Sequence, residues 1–305
     1  MLLVLSLSIA ATACAPRASP NSAATNGSAF GTSPLGHLLI VGGGPANAQV
    51  VNRFVELAGG AGKARVVVFP MASAVASTGP DKVAELKALG VDAFFVDVKR
   101  ADADADSVVH ALDSVTGIWF SGGDQNRITT ALNGTRTERA IRARYEAGAV
   151  VGGTSAGAAI MTEMMITGDE RRRGGDRPPS DSAQAFITID RENIVTADGL
   201  GLMKGAIVDQ HFVRRRRHNR LISLVLEHPS LLGVGIDEST ALDVGPGGQW
   251  EVIGANVVVI FDARAGVVTQ RGTPLGGFNL RMHVLPSGSR FEPVSGRVTL
   301  LGRTR

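Results

Sequence analysis

Runs of four or five apolar residues alternate along this chain with longer stretches in which apolar and polar positions recur at helical spacing. Leu38-Leu39-Ile40-Val41, Arg65-Val66-Val67-Val68-Phe69, Ala93-Phe94-Phe95-Val96, Gly117-Ile118-Trp119-Phe120 and Ala149-Val150-Val151 read as strands apolar on both faces. Gly205-Ala206-Ile207-Val208 and Gly233-Val234-Gly235-Ile236 read the same way. Helical stretches separate the early runs, which predicts an α/β fold on a doubly wound, mostly parallel sheet. Past Gln249 the pattern turns to β, with Trp250-Glu251-Val252-Ile253, Asn256-Val257-Val258-Val259-Ile260-Phe261 and Arg281-Met282-His283-Val284-Leu285 as short strands. No internal repeat is evident. We expect one domain over residues 35–305, its β-rich extension starting at about residue 250.

The N-terminus differs. Residues 2–13 are apolar and lead to Cys14, the single cysteine, through Ala11-Thr12-Ala13. Small residues before a cysteine are the pattern of a bacterial lipoprotein processing site, so residues 1–14 read as an export signal with Cys14 as the lipidated residue. Alanine rather than leucine stands three residues before Cys14, and no basic residue precedes the apolar run; cleavage as a plain secretory signal near Ala13 or Ala15 is the alternative. Residues 15–34, rich in Ser, Ala, Asn and Pro, read as a flexible tether. The expected location is the cell envelope or the exterior, with contact to the membrane only through the lipid. One cysteine excludes an intrachain disulfide. With 44% hydrophobic residues in 305, one sizeable core is expected.

Candidate chemistry centres on Gly152-Gly153-Thr154-Ser155-Ala156-Gly157-Ala158, a serine on a glycine-bracketed turn between an apolar strand and an Ala-rich stretch read as a helix over residues 156–165. That is the layout of a nucleophile elbow. A cysteine there would suggest a glutamine amidotransferase. Serine needs a base. Of six histidines, His211 stands after an apolar strand in Asp209-Gln210-His211-Phe212, at the sheet edge where ligand groups collect. His218 lies in an arginine run that reads as a solvated face. An orienting acid is offered by Asp237 or Glu238 in Gly235-Ile236-Asp237-Glu238-Ser239-Thr240, with Asp209 in competition; alternation puts Asp237 and Glu238 on opposite faces without saying which reaches His211. Phe120-Ser121-Gly122-Gly123-Asp124-Gln125 makes a second wall, where the N–H near Gly123 could join that of Ala156 in an oxyanion hole.

Together these four clusters resemble the cyanophycinase-like serine peptidases, the family that also contains aspartyl dipeptidases. The motifs occur in the family's order over about residues 36–290. The resemblance implies a class I glutamine amidotransferase-like fold, with Ser155 as nucleophile, His211 as general base and then acid, and Glu238 as the orienting acid. It implies a pocket lined by Gln125, Asp209 and Gln210, with Arg215, Arg217 and Arg220 taking substrate carboxylates, since a guanidinium can grip a carboxylate bidentately. Cyanophycin has an aspartate backbone whose β-carboxylates carry arginine, and the implied reaction releases β-aspartyl-arginine through an acyl-enzyme, with no metal or other cofactor.

The run Arg214-Arg215-Arg216-Arg217 also invites a polyanion reading, but a net charge of +3 and the lack of any nucleic-acid motif speak against one. Gly42-Gly43-Gly44-Pro45 lacks the spacing of a dinucleotide loop. A polar insert, residues 168–180, matches nothing in the family and reads as a surface loop. The competing functions are an exported aspartyl or isoaspartyl dipeptidase and a non-catalytic ligand-binding lipoprotein; a homodimer is left open.

Overall fold

The protein is described by a computed structural model over residues 34–171, 186–272 and 274–300. The expected export signal with Cys14, residues 15–33 of the tether and residues 172–180 of the insert lie outside the described residues. The early hydrophobic runs become five parallel strands: β1 (Leu38–Val41), β2 (Arg65–Phe69), β3 (Asp92–Phe95), β4 (Gly117–Phe120) and β5 (Val150–Thr154). They lie side by side in the order β1-β5-β4-β2-β3. Between them run α1 (Ala48–Leu57), α2 (Thr78–Ala88), α3 (Asp106–His110), α4 (Gln125–Leu132) and α5 (Arg136–Glu146).

The strands are apolar on both sides because both faces are covered. In β1, Leu38 and Ile40 enter one core, which holds Ile128 of α4 and Ile141 of α5; Leu39 and Val41 enter another, which holds Phe54 of α1 and Leu86 of α2. The helix starts are written locally. Asn47 caps α1 by accepting from the N–H of Gln49 at 2.9 Å, and Asp124 caps α4 by accepting from that of Asn126 at 2.9 Å.

After β5 the Ala-rich run makes a single turn, α6 (Ala156–Ala159), and not the helix to residue 165 that composition predicts. Tertiary contact ends it. The N–H groups of Leu200, Met203 and Gly199 donate to the carbonyls of Ile160, Met161 and Glu163 at 2.7, 2.7 and 2.9 Å, capturing acceptors a longer helix would use. The chain then pairs β6 (Met164–Glu170) with β7 (Ile194–Asp198).

The remaining elements are β8 (Ala206–Gln210), α7 (His218–Glu227), β9 (Leu232–Ile236), β10 (Thr240–Val244), β11 (Trp250–Gly254), β12 (Val257–Asp262), β13 (Val267–Val268), β14 (Gly277–Phe278), β15 (Arg281–Pro286), β16 (Arg290–Glu292) and β17 (Arg297–Thr299). Alternation of strand and helix predicts one sheet, and the structure builds two large ones. β10, β11, β16 and β17 extend the parallel strands antiparallel beyond β1, while β8, β9, β12 and β15 form a second sheet in the order β15-β12-β9-β8. The second sheet packs on the first, with Val208, Val234 and Ile260 sharing a core with Ile40 and Leu242. Its outer side is covered by Leu221 and Val225 of α7. A short buried run announces a strand but not its partner, so this division is invisible to periodicity. Among the described residues no helix is long and apolar enough to cross a membrane.

Candidate active site

At the end of β5 the chain turns sharply on Ser155, whose backbone lies at φ 53° and ψ −107°. A non-glycine residue in such a region costs on the order of 1–3 kcal/mol and persists only where its surroundings hold it. Here the Ser155 N–H donates to the Val41 carbonyl at 3.0 Å, and the Ser155 carbonyl accepts from Ala158 and Ala159 at 2.9 and 3.0 Å. The flanking residues must be small. A Cβ on Gly153 would lie 2.3 Å from the Gly157 carbonyl oxygen, and one on Gly157 would lie 2.4 Å from that of Phe120.

The Ser155 hydroxyl meets His211 Nε2 at 2.8 Å, and His211 Nδ1 meets Glu238 Oε1 at 2.7 Å. A carboxylate can only accept, so Nδ1 carries the proton and Nε2 is left to accept from the serine. The three side chains come from the β5–α6, β8–α7 and β9–β10 connections, which brings both sheets to one point. His211 and Ser239 also sit at positive φ, 49° and 54°, so backbone strain clusters here. Of the three acids open from the sequence, Asp237 instead accepts from the Arg214 N–H at 2.9 Å, and Asp209 is paired with Arg220. Burial holds the His211 pKa below its ordinary value; Arg215 and Arg217 add to this, and the Glu238 hydrogen bond opposes it. The imidazole is therefore neutral at neutral pH, with its lone pair toward Ser155.

Gly42, Gly43 and Gly44, set aside as a nucleotide loop, form the floor of this arrangement. Gly42 accepts from the His211 N–H at 2.7 Å and Gly43 from the Ser239 N–H at 2.8 Å. Gly43 lies at φ 95°, and a Cβ on it would stand 2.4 Å from His211 Nε2; one on Gly44 would stand 2.6 Å from Glu238 Cβ. The available signal was position: three glycines directly after the first buried strand. Gly43→Ala is expected to push the imidazole off Ser155 and lower kcat about 10²-fold, the scale of a 1 Å misplacement. Steady-state kinetics beside a thermal melt checks this, and a melt shifted by tens of degrees would mean collapse instead of displacement.

Gly123 lies at φ 141°, where a Cβ would strike the Ala72 carbonyl oxygen at 2.1 Å; a Cβ on the adjacent Gly122 would be 3.4 Å from Ser155 Cβ. This loop therefore stands beside the serine. Ala156 opens α6, where N–H groups have no intrahelical acceptor. The site thus brings together a serine hydroxyl, an imidazole, a carboxylate and backbone N–H groups, the set of groups that acyl transfer uses.

The expected substrate residues divide into two groups. Arg215 is exposed and Arg217 part-buried; Arg217 donates to the Gln210 carbonyl at 2.8 Å and to its side chain. Burial and the neighbouring Arg220 lower the Arg217 pKa to about 10, still cationic at neutral pH. Asp209 and Arg220 lie buried on each other, joined through the guanidinium Nε, at 2.6 Å, and Nη2, with the Phe186 ring 4.7 Å from the guanidinium. Their ion pair joins the end of β8 to α7. Gln125 is also buried, its amide donating to the carbonyls of Ile166 and Thr167 at 2.8 and 2.6 Å. It therefore ties the Gly123 loop to β6. Among the described residues no cluster of His, Cys, Asp and Glu could hold a metal ion.

Residues 38–251 match peptidase family S51. The chain is 35% identical over 254 residues to a cyanophycinase of Synechococcus elongatus, covering 80% of this chain and 74% of that one. It is 34% identical over 278 residues to a cyanophycinase of Geminocystis herdmanii, covering 86% and 97%. Among solved structures, a peptidase from an acI-B1 Actinobacterium superposes with a TM-score of 0.59 at 21% identity, over 86% of this chain and 98% of that one, and so shares the fold.

Proposed function

The chain belongs to peptidase family S51 as a cyanophycinase-like serine peptidase, and we propose that its substrate is cyanophycin, whose aspartyl backbone it cuts to release β-aspartyl-arginine. The hydrogen-bonded chain from Ser155 through His211 to Glu238, at 2.8 and 2.7 Å, carries this reading. Ser155 Oγ attacks an aspartyl carbonyl as its proton passes to His211 Nε2, and the imidazolium that forms is stabilised by Glu238. The N–H groups of Ala156 and Gly123 receive the charge on the carbonyl oxygen; each such donor contributes roughly 3 kcal/mol in comparable sites. Collapse expels the amine, which takes the proton from His211. Water, activated by the same base, then releases the acid and restores Ser155.

Arg215 and Arg217 support an acidic or carboxylate-bearing substrate, and the relatives of similar length that carry the name cyanophycinase support the polymer. Export with a lipid on Cys14 completes the reading and rests on the sequence of residues 1–14. The test is mass-spectrometric product analysis of the full chain with insoluble cyanophycin. Release of β-aspartyl-arginine is expected. Cleavage of short aspartyl peptides with no release from the polymer would move the substrate to dipeptides.

A further inference from the structure

Resting on the polymer reading above, we propose that a cavity of about 470 Å³ at the C-terminal edge of the parallel strands is a distal subsite, holding a charged side group of the polymer about three units from the cleaved bond. The cavity lies between the segment after β3 and the start of α4, and Asp97, Lys99, Arg100, Asp124, Asn126 and Arg127 are its polar lining, with Arg100 Nη1 already donating to the Asn133 carbonyl at 2.6 Å. Its place in the fold connects it to the candidate site. Asp124 directly follows Gly123, and its N–H is fastened to the Ala72 carbonyl at 2.9 Å, so one loop forms the wall of both. From β5, which carries Ser155, the edge runs over β4 and β2 to β3. Met71, just after β2, also lines the cavity, and the two strand spacings from β5 to β2 are roughly 10 Å, which an extended chain covers in about three residues. A dipeptide at Ser155 ends short of the cavity, and a polymer crosses it.

The lining charges are open and of both signs. Neither the Lys99 ammonium nor the Asp97 carboxylate has a hydrogen bond or ion pair among the described residues, although the two stand two positions apart on either side of buried Val98. Arg127 uses Nη1 on the Ser73 carbonyl at 3.0 Å, and Asp124 uses Oδ1 to cap α4; each keeps a further polar atom for the cavity. A side group bearing one positive and one negative end can meet both signs here: its carboxylate on Lys99 or Arg127, its guanidinium on Asp97 or Asp124. An arginyl group linked through its α-amine has those two ends. A simple anion or cation would meet charges of one sign only.

Exposed charge contacts are individually weak, so the effect sought is modest and confined to long substrates. The experiment compares the full chain with an Asp97→Asn, Lys99→Gln double variant on two substrates: soluble cyanophycin and an oligomer of two aspartyl-arginine units. The expected result is a three- to tenfold rise in KM on the polymer at unchanged kcat, approximately what weak exposed contacts provide, with unchanged kinetics on the two-unit oligomer. Equal change on both substrates, or on neither, overturns the subsite. Wild-type protein that cuts the oligomer but not the polymer overturns the substrate reading itself, and the subsite with it.

Discussion

Alanine at position 155 is expected to lower kcat on cyanophycin by about 10⁶-fold, the scale seen when the nucleophile of a comparable serine peptidase is removed, while sedimentation of the protein with the insoluble polymer is unchanged. The reason is local. Among the described residues Ser155 Oγ is the hydrogen-bond partner of His211 Nε2, at 2.8 Å, and the tight turn at φ 53° places it there. Fold loss is not expected, because among the described residues Oγ makes no other side-chain hydrogen bond and alanine keeps Cβ against Gly122. A residual rate within tenfold of wild type would show that the serine is not the nucleophile.

Glu238→Gln is expected to cost roughly 10³- to 10⁴-fold in kcat, because an amide can present its NH₂ to Nδ1, favouring the wrong tautomer, and cannot stabilise an imidazolium by charge. The matched control is Asp237→Asn, whose side-chain carbonyl can still accept from the Arg214 N–H; a change within about threefold is expected there, as for substitutions that leave an interaction in place. The pH profile separates a positioning effect from loss of structure. Activity needs neutral His211 and falls as pH drops through its pKa. In the wild type burial already sets that midpoint below the ordinary imidazole value of 6.5. Glu238 opposes the shift, so its neutralisation should move the acid limb lower still, with burial, Arg215 and Arg217 then acting unopposed. An acid limb that moves upward, or a larger loss in Asp237→Asn than in Glu238→Gln, would assign the orienting role to Asp237.

Both predictions depend on a choice that the residue pattern left open. Asp237 and Glu238 are adjacent on an extended segment, and alternation only says that they part. Glu238 reaches the histidine because the carbonyls of Gly42 and Gly43, just after β1, hold His211 and Ser239 by backbone hydrogen bonds, and Gly43 and Gly44 leave no Cβ in the way. The same long-range packing buried Arg220 on Asp209. Nothing in an arginine run distinguishes a guanidinium buried on Asp209 from one left in water, since that depends on how α7 lies across the second sheet.

Sequence by itself determined the parts whose physics is local. Apolar runs with no polar alternation had to be strands covered on both faces, and a serine between Gly153 and Gly157 had to sit on a tight turn. The resemblance of four motifs carried the family. Only the tertiary structure decided which strands share a sheet, where the Ala-rich helix stops, which acid meets His211 and that three glycines support the pair. Those outcomes rest on contacts between residues tens to hundreds of positions apart, whose geometry is fixed by packing, and no window along the chain contains both partners.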